Sequence, residues 1–404
     1  MTTLGEKIKA LRKEKRLTQT ELAGSELTKS MLSQIENGKA TPSMKTLQYI
    51  ASKLDCEASF LLEEDDEGMQ ELIQEMDQKI QKNQFEAVYE TLLPIVQKEL
   101  PSTLYTARLY KQFMTSAIAM KDYNIQTYIS KAIPIFQKYT LYRESTQTKL
   151  MQYYILFSDK RYEECLELIA SIRKEYEAKR LEMDLIMQIE LFLNEAIVLL
   201  AYGNYEKCEE IILQALDFSK KNQVYYKTND FYRILSYQKV LEAEEDKYLY
   251  YIQKAEQFAI FTEDTFSAAI IDILKSYYYN TITKEYTLAL QHLEQFKEKL
   301  QQGVDFKVDG LYYLEKGKAL YGLKQYEKAL ETLQHVTIPD YMIHPLDQSW
   351  VITAGAYRAL CYSQLQNKQK ALQEATEAFH TIQPFPDSTF SRFIKETLQS
   401  IQKF

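Results

Sequence analysis

The feature that most constrains this chain is a spacing. From Phe85 onward, an aromatic residue is followed three positions later by a small or medium one: Phe85 and Val88, Tyr123 and Gln126, Tyr162 and Cys165, Tyr205 and Cys208, Tyr286 and Ala289, Tyr326 and Ala329. The aromatics stand 38, 39, 43, 81 and 40 residues apart. The interval of 81 leaves room for one degenerate unit whose second helix holds Ala255, and Lys368 with Ala371 adds a final copy. About eight units of roughly 40 residues result, a period that belongs to stacked helix pairs. In such a stack the small residue lets two helices approach closely and the aromatic plugs the gap to the next pair. The pairs then bury a continuous core and curve into a superhelix with a concave face.

Composition agrees with an all-α fold. Of 404 residues only 10 are Gly and 8 are Pro, whereas turn-dense β folds and long flexible linkers use both heavily. With 46% hydrophobic and 26% charged residues the chain can bury a large core, which excludes general disorder. The longest uninterrupted apolar run, Ala196 to Tyr202, is seven residues, against the roughly 20 that span a bilayer. Met1 to Lys15 carries no apolar signal core. The cysteines Cys56, Cys165, Cys208 and Cys361 have no paired spacing, which suits free thiols in a reducing compartment. A cytoplasmic location without membrane attachment is expected. Cys165 and Cys208 occupy the small-residue position and read as packing residues.

No catalytic site emerges. The histidines His292, His335, His344 and His380 lack metal-ligand spacing, and no HExxH, P-loop or GxSxG motif occurs. His344-Pro-Leu-Asp347 reads as a surface loop. The expectation is a protein that is not an enzyme and that carries no cofactor or metal.

Charge divides the chain. Residues 1–62 hold ten Lys/Arg and seven Asp/Glu, a balance of +3, and the remaining 342 hold 39 and 50, a balance of −11. A basic head on an acidic body points to a nucleic-acid contact at one end only. In the head, Leu4, Ile8 and Leu11 recur at helical spacing among Lys7, Lys9, Arg12 and Lys13. Thr18-Gln-Thr-Glu21 is a capping box that starts a short second helix, Gln19 to Ala23. After the turn Gly24-Ser-Glu-Leu27, Thr28 caps a third helix that runs through Glu36 and stops at Asn37-Gly38; Pro42-Ser43 opens a fourth. Two short helices joined by a tight turn inside a five-helix head make a helix-turn-helix plan.

Leu17-Thr-Gln-Thr-Glu-Leu-Ala23, then Ser30-Met-Leu-Ser-Gln-Ile-Glu-Asn-Gly38, then Pro42-Ser43 resembles the helix-turn-helix of phage-repressor-type regulators over essentially the whole head. The resemblance implies that the third helix lies in the major groove. Thr28 at its cap, with Lys29, Ser30, Ser33 and Gln34, would face base edges or nearby phosphates, and Gln19, Asn37 and Lys39 would contact the backbone. Arg12 and Glu36 resemble the internal pair that ties the first helix to the third. One departure stands in the turn, where Glu26-Leu27 replaces an apolar residue followed by Gly; Leu27 is expected to plug the core instead.

The body copies Tyr202-Gly-Asn-Tyr-Glu-Lys-Cys208 and Tyr321-Gly-Leu-Lys-Gln-Tyr-Glu-Lys-Ala329 resemble tetratricopeptide repeats stretched past their usual length. The domain expectation is a head over 1–62, an acidic linker over 63–68 and a right-handed repeat superhelix over 69–404. Head and repeats together resemble the peptide-sensing regulators of Gram-positive bacteria and their phages, the Rap–Rgg–NprR–PlcR–PrgX group, and most closely its NprR and PlcR branches. That resemblance implies operator DNA, a short signalling peptide held in the concave repeat surface, and a homodimer or higher homo-oligomer. It also admits two alternatives: sequestration of a phosphorelay response regulator by the repeats, or control of phage lysis and lysogeny.

In this group an Asn on the first helix of a repeat, eleven residues before the repeat aromatic, grips the peptide main chain. Asn194 stands eleven before Tyr205, and an Asn amide both donates and accepts. Gln112 holds the position before Tyr123, and Met151, Ile234, Lys275, Glu315 and Tyr357 hold it in other units. Met151 joins the candidate peptide-binding set. Arg108 and Lys111, beside Gln112, could pair with a peptide carboxylate. Tyr154, Arg233, Tyr237, Tyr278 and Tyr357 could line side-chain pockets; the alternative for each is ordinary exposed or inter-repeat packing. The tail from Pro384 to Phe404 reads as an apolar cap or dimer seam.

Overall fold

The computed structural model describes residues 3–56, 58–62, 67–301, 309–339 and 342–403, and every regular element among them is helical. The chain forms two compact units, Met1–Asp159 and Lys160–Phe404.

The first unit opens with the head: α1 (Leu4–Glu14), α2 (Gln19–Ala23), α3 (Lys29–Glu36), α4 (Met44–Lys53) and α5 (Ala58–Leu62). The capping box forms as the sequence requires, with the Glu21 amide donating to Thr18 Oγ1 at 3.2 Å and the Thr18 amide donating to the Glu21 carboxylate at 2.7 Å. Thr3 and Glu6 close a second box at the start of α1, at 3.3 and 2.7 Å. Ile8, Leu22, Leu32, Leu47 and Ile50 build the core of the head, and Leu27 joins it from the turn, filling the space as expected.

The body of this unit contributes α6 (Glu67–Gln81), α7 (Phe85–Val96), α8 (Leu104–Ala119), α9 (Gln126–Lys138), α10 (Tyr142–Leu150) and α11 (Gln152–Ser158). Helix α6 begins inside the acidic run, and residues 63–66 of the expected linker lie outside the described residues.

The second unit runs through α12 (Tyr162–Lys179), α13 (Leu185–Tyr202), α14 (Tyr205–Asn222), α15 (Thr228–Leu241) and α16 (Glu245–Phe261). It continues through α17 (Thr265–Tyr278, extended by one π turn to Thr283), α18 (Tyr286–Gln301), α19 (Asp309–Gly322) and α20 (Tyr326–Leu333). The last elements are α21 (Pro345–Gln364), α22 (Lys368–Ile382) and α23 (Thr389–Lys403).

The repeat register falls on helix starts. Phe85, Tyr162, Tyr205, Tyr286, Tyr326 and Lys368 are each the first residue of a helix, and Val88, Cys165, Cys208, Ala289, Ala329 and Ala371, three residues later, are at most 1% exposed. A larger side chain at those positions would force the paired helices apart. The aromatic fills the next gap: a β-carbon on Gly322 of α19 would stand 2.2 Å from the Tyr286 ring.

Two units depart from the expected spacing. Tyr123 does not open α9, because Asp122 accepts from the Asn124 amide at 3.0 Å and delays the helix to Gln126. Gln126 is therefore exposed, and Ile129, 2% exposed, takes the buried place. In the degenerate unit α16 opens on Glu245, so the position three later is Tyr248, 1% exposed and stacked on Tyr278 with ring centroids 4.6 Å apart. Ala255 is buried on the same helix, as expected.

Helix α13 is 18 residues long with a mean hydropathy of 1.6, long and apolar enough to cross a membrane by length and composition. Glu190, Asn194 and Glu195 interrupt its apolar runs. Here it packs as a repeat helix, with Ile189, Leu191, Ala196 and Val198 fully buried.

Burial pushes the thiols of Cys165, Cys208 and Cys361 up to about 12, and the Cys208 thiol donates to the Ala196 carbonyl at 3.3 Å. A thiolate-specific reagent at mildly alkaline pH is thus expected to titrate Cys56, which is half-buried, in the native protein and all four cysteines after denaturation. Rapid native labelling of Cys165 or Cys208 would contradict this packing.

Candidate functional site

In the head, α3 divides cleanly by helical phase. Leu32, Ile35 and Glu36 are buried, and Ser30, Gln34 and Asn37 are exposed on the opposite face with Ser33 at its edge and Lys29 exposed at the helix start. Thr28 Oγ1 caps the helix by accepting from the Met31 amide at 3.1 Å, and Asn37 Nδ2 closes its other end by donating to the Ser33 carbonyl at 2.7 Å. Lys39 follows, also exposed. Met31, 47% exposed beside this face, was not singled out by the sequence, whose only sign of it was its phase away from Leu32 and Ile35.

What aims α3 is a buried ion pair. Arg12 Nε and Nη2 donate to the two Glu36 oxygens at 2.6 and 3.0 Å, and Arg12 Nη1 donates to the Leu17 carbonyl at 2.8 Å. Gln19 Nε2 donates to Glu36 at 2.8 Å. The structure therefore uses Gln19 as part of the brace between α1, α2 and α3. Burial alone would raise the Glu36 carboxyl, but hydrogen bonds from Arg12 and Gln19 hold it below its usual value.

In the first unit's body, Arg108, Lys111, Gln112 and Thr115 of α8 line a pocket of about 330 Å³ with Asp77 of α6 and Glu144 of α10. Gln112, buried, donates to the Ile73 carbonyl at 2.9 Å and to Asp77 at 2.7 Å, and its own carbonyl oxygen has no partner. Lys111 donates to Gln147, and burial pushes its ammonium below the usual lysine range against the pull of Glu144. The three residues grouped by sequence thus share one pocket. Eleven residues before the true start of α9 is Thr115, not Gln112, and it lines the same pocket. Met151, at the joint of α10 and α11, and Tyr154, 38% exposed and edge-on to Tyr153, do not line it.

The second unit holds a cavity of about 370 Å³. Apart from the segment Met342 to His344, its wall comes from the first helix of successive pairs: Ile197 and Leu200 on α13, Arg233, Ile234 and Tyr237 on α15, Phe266, Ile270, Ile273 and Leu274 on α17, Leu311 on α19, Asp347 and Trp350 on α21. Asn194 is half-buried on α13, one turn before Ile197. Tyr278 is not on this wall; it packs between repeats, stacked on Tyr248 and donating to Glu245.

Polar groups converge on the apolar cavity. Arg233 Nη2 pairs with Asp230 at 2.7 Å, and Arg233 Nε is buried without a partner. The Tyr237 hydroxyl is held well above the usual phenol range, chiefly by burial and also by the facing Asp347 carboxylate. His344 and Asp347 do not form the expected surface loop. His344 caps α21, accepting from the Leu346 amide on Nδ1 at 3.3 Å, which leaves Nε2 to donate to the Ile197 carbonyl at 3.3 Å. Burial pushes its imidazole down, so it is neutral.

Behind Trp350 lies a charged network. Glu315, fully buried, accepts from Lys318, Asn280 and Trp350 Nε1, each at 2.8 Å. Lys318 also stands 4.3 Å from the Tyr277 ring centroid and, with Tyr357, Thr353 and Arg392, lines a second recess of about 290 Å³. Phe390 of α23 stacks parallel to Trp350 at 6.1 Å. Glu315 and Tyr357 occupy the position eleven before a second helix, as Ile234 and Asn194 do.

Residues 8–61 match the family described as Helix-turn-helix. Over 64 residues, 16% of the chain, the sequence is 41% identical to the immunity repressor protein of Bacillus phage phi105, and the match spans 44% of that repressor's length. The fold is similar to that of Bacillus thuringiensis PlcR in complex with the peptide PapR7 and DNA, at 21% identity and a TM-score of 0.51 over 68% of this chain and 99% of that one. It is also similar to NprR in complex with its cognate peptide NprX, at 12% identity and a TM-score of 0.50 over 74% and 84%. A third likeness is to the Cut9–Hcn1 hetero-tetramer of the APC/C, at 16% identity and a TM-score of 0.51 over 98% and 67%. The architecture is thus a helix-turn-helix head followed by tetratricopeptide-like helical repeats, the build expected from the sequence.

Replacing Glu36 by Gln leaves Arg12 buried beside a neutral amide, and the loss expected for breaking such a pair is about 3–5 kcal/mol. Because the folded carboxyl lies below its unfolded value, the pair's contribution is present above the ordinary carboxyl range, around 4.3, and is lost as pH falls through the folded pKa. Amide protection factors of residues in α1 and α3 within the full chain, corrected for the intrinsic exchange rate at each pH, should fall in Glu36→Gln and, for wild type, on acidification. Unchanged protection in the variant would contradict the bracing role.

Proposed function

We propose that the protein is a transcription regulator of the Rap–Rgg–NprR–PlcR–PrgX type. It binds operator DNA through α3 and is switched by a short peptide held in the cavity of the second unit. The observation that carries this reading is the cavity wall: apolar side chains from the first helices of five successive repeats, with Arg233, Tyr237, Asp347 and His344 converging on it, in a chain that also carries a helix-turn-helix head. A cavity of about 370 Å³ falls in the range of ligand pockets and is lined as such pockets are, by apolar groups with a few placed polar ones.

On this reading Ser30, Ser33 and Gln34 meet base edges, and Lys29, Asn37 and Lys39 meet phosphates with Thr28 at the helix start. Two heads on a homodimer read two half-sites. Asn194 takes the peptide main chain beside the cavity. Peptide acts by binding one arrangement of the repeats better than another, since equal affinity for both would shift nothing. The likeness of the head to a phage immunity repressor favours, within this reading, a regulator of lysis and lysogeny.

The test is mass spectrometry of peptides released on denaturation of the full chain purified from its own host. A single short peptide is expected from wild type and a reduced yield from Asn194→Ala. Added back, that peptide should change the emission of Trp350, the chain's sole tryptophan, which lines the cavity. Absence of any peptide, together with a co-purifying folded response regulator, would overturn the reading.

A further inference from the structure

The charges around the cavity of the second unit do not balance, and the group left over is an acid. Three side chains able to carry charge near neutral pH stand on its wall: Arg233, His344 and Asp347. Arg233 is committed to Asp230, whose carboxylate accepts from Nη2 at 2.7 Å and has Lys227 beside it at 3.5 Å. His344 is neutral and engages both ring nitrogens, one with the Leu346 amide and one with the Ile197 carbonyl. Behind Trp350, Lys318 is held by Glu315 at 2.8 Å. Among the described residues no cation therefore pairs with Asp347. What reaches its carboxylate is the Tyr237 phenol, a neutral donor, and the dipole of α21, in whose first turn it stands.

Half-buried on an apolar wall, such a carboxylate gains more from a cation than from a neutral donor. The surroundings suit a cation in a second way. Tyr237 and Trp350, stacked with ring centroids 5.7 Å apart, and Phe266 put aromatic rings on the same wall, and the faces of such rings attract cations. The rest of the wall, with Ile197, Leu200, Ile270 and Ile273, is aliphatic, so a cation entering here has to arrive on an apolar body. The pocket of the first unit has no such imbalance, because Arg108 and Lys111 line it together with Asp77 and Glu144.

We propose that the cavity takes a positively charged group of the peptide, its amino-terminal ammonium or a Lys or Arg side chain, seated on Asp347 with the attached apolar portion against the aliphatic wall. This rests on the peptide reading given above and adds to it the charge of the anchoring residue. An ammonium or a guanidinium has only donors to offer and a carboxylate only acceptors, so the two match, whereas an acidic group of the peptide would meet Asp347 as a like charge.

The experiment uses the full chain and a pool of random synthetic heptapeptides, prepared once with free amino termini and once N-acetylated, with retained peptides sequenced by mass spectrometry. If the anchor is the amino terminus, acetylation lowers retention about ten-fold or more, the size of one hydrogen bond between charged groups. If the anchor is a side chain, the acetylated pool is still retained and is enriched in Lys or Arg at one position. In Asp347→Asn, which keeps the shape of the side chain, either preference should disappear while the preference for apolar residues persists. The two pools on wild type need no variant and decide the matter even if Asp347→Asn fails to fold. Peptides retained equally with and without acetylation and showing no Lys or Arg enrichment, or a cation preference unchanged in a folded Asp347→Asn, overturn this inference and leave the peptide reading intact. Retention of no peptide from either pool overturns both.

Discussion

The structure depends on how closely two helices of a pair can approach. At the fourth residue of the second helix, Val88, Cys165, Cys208, Ala289, Ala329 and Ala371 are all but fully buried, and each is small enough to let the neighbouring backbone come near. That contact fixes the second helices as an outer layer and leaves the first helices side by side within the second unit. A wall made of α13, α15, α17, α19 and α21 follows from the stacking, and with it the cavity. The aromatic at the first residue of the second helix completes the stack, as the fit of Tyr286 against Gly322 shows. Where the rule is broken, at Tyr248, an aromatic sits in the seam and recruits Tyr278 as its stacking partner.

A second device recurs in both units, a buried carboxylate met by several donors. Glu36 receives Arg12 twice and Gln19 once; Glu315 receives Lys318, Asn280 and Trp350. Taking such a charge out of water is expensive, and only a full set of hydrogen bonds offsets the cost. The return is geometric definition, since one arrangement satisfies the group and its neighbours do not. In the head the brace sets how α3 stands on α1. In the second unit it fixes Trp350 against the cavity, with Phe390 stacked behind it. Both therefore fix the orientation of a neighbouring element, α3 in the head and Trp350 beside the cavity.

Much of this was legible in the sequence. Local chemistry dictated the capping box of Thr18 and Glu21, the limits of α2 and α3, the burial of Leu27 and the starts of most second helices. The Arg12–Glu36 pair followed from a resemblance, and the structure forms it. The failures were of two kinds. Tyr123 misled because a three-residue turn built on Asp122 separates it from its helix, and spacing alone does not register a turn. The cavity was only half visible: Arg233 and Tyr237 could be named from helical phase, but His344, Asp347 and Trp350 could not. Their place depends on a contact between His344 and Ile197, 147 residues apart, which no local pattern carries.

On the proposed function a ligand in the second unit alters DNA binding by the head, and coupling between the two is the quantity to measure. DNA selected by the full chain from random duplexes would be titrated with protein alone and with protein saturated by the co-purifying peptide, at one fixed salt concentration. A change in Kd of about five-fold or more is expected, with the same factor in peptide affinity when DNA is bound, because coupling is reciprocal. An unchanged Kd for DNA, while Trp350 emission reports the cavity filled, would contradict it.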